Sequence, residues 1–172
     1  TGKQPEMTFA DDFATRVIAL RVTDTDGVTD IQTSALEVIN VAPTVLVTSV
    51  PTAVDEGTEV TLTSSVLDPG TQDTHTYEWA VSKNGIPYTA DGTDTAEVTF
   101  TPDDEGVYKA TLTVTDDDGG VGTDSVFISG QNAAPVVTQL ELNRPVVELG
   151  EELIVTGAFT DAGALDTHTV DI

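Results

Sequence analysis

The chain has 172 residues, 30 of them acidic and 6 basic, giving a formal net charge of −24, and 38% are hydrophobic. Such acidity argues against nucleic-acid binding, because phosphate contacts need Lys and Arg, and an anionic membrane surface would repel the chain for the same reason. No apolar run reaches the length of about 18 residues that a membrane span requires, and without cysteine no disulfide staples the fold.

Taken in order, the chain first shows an acidic turn, Val22-Thr-Asp-Thr-Asp-Gly27, and then Asn40-Val-Ala-Pro43. Val45 to Val50 reads as a strand ended by Pro51, and Asp55-Glu56-Gly57 as a turn. Val60, Leu62, Ser64 and Val66 alternate with Thr and Ser, the period of a half-buried strand. Asp68-Pro-Gly70 breaks it. Thr74 to Val81 is the next strand, with Tyr77, Trp79 and Val81 on one face. Lys83-Asn-Gly85 is a turn whose Asn-Gly pair suits positive φ. Ala96, Val98 and Phe100 alternate in a further strand. Tyr108, Ala110, Leu112 and Val114 form the clearest one, and Val126 and Ile128 close the series after the acidic loop at 116–120. No stretch has helical periodicity. The expected fold is all-β, a two-sheet antiparallel β-sandwich of immunoglobulin-like type with about seven short strands.

Three blocks recur at a period of about 92 residues: Val22–Gly27 as Val114–Gly119, Asn40–Pro43 as Asn132–Pro135, and Asp68–Trp79 as an eroded Asp161–Ile172. The last pair is one residue further apart, which places a gained residue in the loop after the proline. That period suits a sandwich domain rather than a solenoid unit. The phase divides the chain into 1–42, the C-terminal half of a repeat; 43–134, a complete repeat; and 135–172, the N-terminal half of a further repeat.

The complete repeat resembles a PKD domain, the immunoglobulin-like module named for polycystic kidney disease. The residues that carry the resemblance are Asp68-Pro-Gly70, Tyr77-Glu-Trp79, Gly106-Val-Tyr108 and Leu112-Thr-Val-Thr-Asp116. Two departures are Ala80-Val-Ser-Lys-Asn-Gly85, where the family usually has a Gly-Asp-Gly turn after its Trp, and Arg16, which stands where Tyr108 would be. The resemblance implies tandem, extracellular or cell-surface modules of a bacterial or archaeal protein, serving as spacers, adhesion elements or accessory domains, some of them calcium-binding.

In such a sandwich the start of the first strand and two of the loops share one pole. Here they hold Asn40 with the 41–42 carbonyls, Asp68 with Asp73, and Asp116 with Asp118. Converging carboxylates repel unless protonated or bound to a cation, and Ca²⁺ accepts such mixed oxygen ligands. The competing reading is that Asp and Asn are simply good turn residues. A composite pole between two molecules would combine Asp24 and Asp26 of one half-repeat with Asn132, Asp161 and Asp166 of the other. His75 and His168 occupy equivalent positions and read as strand residues hydrogen-bonded to the acidic loop. Trp79 reads as core, and Tyr88 is the best exposed candidate for sugar stacking. No catalytic grouping is discernible.

The expectation is therefore a non-enzymatic extracellular module, structural or adhesive and stiffened by Ca²⁺. Its partners would be neighbouring copies of the repeat or other chains of itself, with half-domains completing one another head to tail into a filament or surface layer. The alternative is an accessory domain of a secreted hydrolase that binds polysaccharide or a surface protein.

Overall fold

The computed structural model describes residues 5–172, and all of its regular structure is strand. Eight strands lie between residues 44 and 131: β3 (Thr44–Thr48), β4 (Ala53–Asp55), β5 (Val60–Leu67), β6 (His75–Lys83), β7 (Ile86–Tyr88), β8 (Glu97–Phe100), β9 (Gly106–Asp116) and β10 (Val121–Gln131). They form a three-stranded sheet, β3-β5-β8, and a five-stranded sheet, β4-β10-β9-β6-β7. The alternation that predicted β5, β6 and β9 is the reason the two sheets face each other. Val60, Leu62, Val98 and Phe100 of one sheet meet Trp79, Val81, Tyr108, Ala110, Leu112, Val114 and Ile128 of the other, all of them buried. This is the expected immunoglobulin-like sandwich.

The β6–β7 hairpin turns on Asn84 and Gly85, at φ +51° and +84°, which an Asn-Gly pair adopts with little strain. Trp79 is a core residue and donates its indole N–H to the Thr95 carbonyl at 3.0 Å. Tyr88 is not an exposed platform. Its ring packs edge-on against Phe100 and Tyr108, and its hydroxyl donates to the Thr101 carbonyl at 2.6 Å.

Several details depart from the expectation. The sandwich is not wholly antiparallel, because β4 pairs in parallel with β10. Strands β4 and β7 were not expected: three residues each is too short for alternation to show in a sequence. The residue gained before the second Asp161–Ile172 block does not lie in a loop. It falls within a strand, where the register of β11 (Val136–Leu142) against β12 (Val155–Thr160) skips Thr138. A bulge absorbs one extra residue without moving the strand ends.

The flanks form hairpins. At the N-terminal side β1 (Phe13–Thr23) pairs with β2 (Thr29–Val38), and at the C-terminal side β11 pairs with β12. Each flank has two strands among the described residues. In the sandwich, β4 is held by β10 and β8 by β5. The flank segments corresponding to β4 and β8 lack those partners, and a strand without a partner has no ladder to join. The hairpins meet the sandwich at opposite ends of β6. The Gln72 N–H donates to the Ala10 carbonyl (3.2 Å) near His75, and the Ala164 N–H donates to the Asp103 carbonyl (2.9 Å) near Lys83.

Candidate metal centre

At the His75 end the Asp68–Asp73 loop and the Asp116–Gly120 loop close on each other. Asp68 accepts the Gly70 N–H on Oδ1 at 2.9 Å and lies 3.0 Å from His75 Nε2 through Oδ2. The His75 role expected from the sequence, a strand residue tied to the acidic loop, is the one it has. Asp116 is 4% exposed. Its Oδ1 accepts the N–H groups of Gly120 (2.7 Å) and Asp118 (3.1 Å), and its Oδ2 accepts the Asn40 amide at 2.8 Å. The Asn40 bond, acting against burial, holds the Asp116 carboxyl below the usual range.

Asp73 has the opposite character. Its Oδ1 is buried with no hydrogen-bond partner. Burial, then the charges of Asp68 and Asp11, push its carboxyl up. One ligand atom each from Asp68, Asp73 and Asp116 lies within 4.8 Å of the others, and Asp11, Asp73 and Asp118 make a second such set sharing Asp73. Asp118 is pushed up to about 6 by burial and by the adjoining Asp12 carboxyl.

The structure thus brings together all five residues expected at this pole: Asn40, Asp68, Asp73, Asp116 and Asp118. It adds Asp11 and Asp12, which sequence reasoning missed. A signal existed, since Asp11-Asp12 precede β1 as Asp103-Asp104 precede β9. The donors are all hard oxygens, one is buried and unpaired, and they come from separate segments. That set fits a Ca²⁺ ion better than Mg²⁺, which demands stricter octahedral geometry.

Asn132, Asp161 and Asp166 meet at the other end. Asp161 accepts the Gly163 N–H (3.2 Å) and lies 2.6 Å from His168 Nε2, repeating the Asp68–Gly70–His75 arrangement. The His168 bond holds the Asp161 carboxyl below the usual range. With its nitrogen turned toward the carboxylates, the Asn132 amide donates to Asp166 Oδ2 at 2.9 Å. Asp24 and Asp26 lie elsewhere, in the exposed β1–β2 turn, where Asp24 Oδ1 accepts the N–H groups of Asp26 and Val28. Within one chain they meet none of the other expected ligands in these contacts.

The fold defines an immunoglobulin-like sandwich with acidic poles. Residues 51–129 match the family model described as the K319L-like PKD domain, which supports a PKD domain in this central stretch of the chain. A search of curated proteins finds no match. Among solved structures, a nucleoside hydrolase-related hypothetical protein from Saccharophagus degradans, associated with carbohydrate metabolism, aligns with a TM-score of 0.46 and 19% identity, over 54% of this chain and 26% of that one. Fibronectin(III)-like modules of CbhA from Clostridium thermocellum align with a TM-score of 0.41 and 19% identity, over 66% of this chain and 60% of that one. The alignment thus covers less than two thirds of either relative.

Proposed function

We propose that the chain is a non-enzymatic, extracellular structural module of tandem sandwich repeats, and that Ca²⁺ at its acidic pole stiffens the junction between neighbours. The observation that carries this reading is the seating of Asp11, from the segment leading into β1, within 4.8 Å of Asp73 and Asp118 of the sandwich. A cation held by Asp68, Asp73 and Asp116 would offset the repulsion that otherwise pushes that segment away, and so limit hinge motion.

Spin labels test it directly, because the chain has no cysteine of its own. With T25C in the β1–β2 turn and E78C on β6, millimolar Ca²⁺ is expected to narrow the distance distribution measured in EDTA. An unchanged width removes the stiffening role.

A second reading, head-to-tail completion of half-domains between copies, is favoured by the open apolar faces of the hairpins. Leu20, Val22 and Leu140 are exposed at positions related to buried ones of the sandwich, and Phe159 at the one related to the partly buried Val66. Mutual coverage of these faces would give a heterologous, propagating contact. Light scattering that rises with protein concentration supports it, and a strictly monomeric mass rejects it.

A further inference from the structure

The Lys83 end of the sandwich contains a group that the pole around Asp116 does not explain. Glu56, in the turn between β4 and β5, is 2% exposed. Its Oε1 accepts the Ala133 N–H at 2.9 Å, and the Asn132 amide lies 3.3 Å from the same oxygen. Its Oε2 is buried with no hydrogen-bond partner. A buried carboxylate oxygen without a donor is costly unless a cation sits against it. Lys83 is not that cation in the contacts it makes: its Nζ lies 2.8 Å from Asp103 Oδ1 and 3.6 Å from Asp104 Oδ2, so its charge is directed to that pair.

Asp104 and Glu105, at the entry to β9, each place a carboxylate oxygen within 4.8 Å of one on Glu56. A hydrogen bond with Asp104 pushes the Glu105 carboxyl up, as expected where two acids crowd one volume. The Asp161–Asp166 loop closes over the same spot. A Cβ at Gly163 would stand 2.6 Å from Asp166 Oδ2 and 2.8 Å from Glu56 Oε1, so a side chain there would have to displace those carboxylates.

We propose that Glu56, Asp104 and Glu105 form a second divalent-cation site of calcium type, at the junction between the sandwich and the C-terminal hairpin. Glu56 is its buried anchor, and Asp104 and Glu105 supply the outer oxygens. Asp166, tied to Glu56 through the Asn132 amide, carries the occupancy of the site to the following hairpin. The site shares no ligand with the Asp116 pole, so either can exist without the other.

Calorimetric titration of the EDTA-stripped 172-residue chain with CaCl₂ at neutral pH tests the assignment. Glu56→Gln keeps an oxygen for the Ala133 N–H but removes the charge, and circular dichroism checks that it folds. Glu105→Gln alters an exposed side chain and guards against a folding artefact. Both variants are expected to weaken one binding step about tenfold or more and leave the other intact, whereas Asp116→Asn affects the other step. Titrations of E56Q and E105Q that superimpose on the wild type overturn the site. If Asp116→Asn alone abolishes binding, the Asp116 pole stands and the Glu56 site falls; if the wild type takes up no Ca²⁺, both fall.

Discussion

The loop Asp68–Asp73 and its copy Asp161–Asp166 make the same internal bonds but lead to different outcomes. In both, the first Asp takes the N–H of the Gly two residues on and holds a His seven residues on, and the last Asp donates its N–H to that Gly carbonyl. After the first loop the chain enters β6, pairs with β9 from His75 to Lys83 and buries Trp79. After the second, residues 167–172 form no strand, and Ile172 is 97% exposed. Loop geometry is therefore local, set by Asx-type bonds and glycine, whereas strand and core require the opposing sheet.

The strongest way to break this comparison is a pair of matched truncations followed by Trp79 fluorescence in urea. Leu112 is fully buried in β9, and Leu20, about 92 residues earlier in β1, is 66% exposed. Leu112→Ala is expected to destabilise the sandwich by about 2–5 kcal/mol, and Leu20→Ala to leave it unchanged within about 0.5 kcal/mol. Equal losses would mean that the β1–β2 hairpin is folded into the same cooperative unit. A smaller effect is expected at the loops. Asp68→Ala frees the Gly70 N–H and His75 and costs about 1 kcal/mol in the same assay, while Asp161→Ala leaves the Trp79 transition in place.

The acidic pole sharpens the comparison through pH, with the smallest effect. Because the Asp118 carboxyl is raised to about 6 from 3.8, the folded chain holds that proton more tightly than the unfolded one. Its contribution is present at low pH and is lost as pH rises through that window. In EDTA the melting temperature should fall less between those values in Asp118→Asn than in the wild type; parallel curves would exclude this origin.

How much was legible in the sequence follows the same division. Alternation at Val60–Val66 and Tyr108–Val114 revealed the core strands because their burial is one-sided and periodic. Asn40, Asp68, Asp73, Asp116 and Asp118 were legible as a pole because an immunoglobulin-like sandwich brings those loops together. Glu56 was not, since a lone Glu in a turn looks like a solvated residue, and the contacts with Ala133 and Asn132 that mark it out exist only in the folded chain. Thr138 was misplaced because an insertion shows in an offset, while its position shows only in the ladder register.

The central claim is that the Asp68–Asp73–Asp116 pole binds Ca²⁺ in the native state. Thermal unfolding in EDTA and in millimolar CaCl₂, for the wild type and Asp116→Ala, tests it most directly. A native-state ligand in about hundredfold excess over its Kd adds about 2.7 kcal/mol, so the wild type should melt several degrees higher in Ca²⁺, and Asp116→Ala should lose most of that rise. An equal shift in both proteins, or none in the wild type, would contradict the account and leave these aspartates as turn residues.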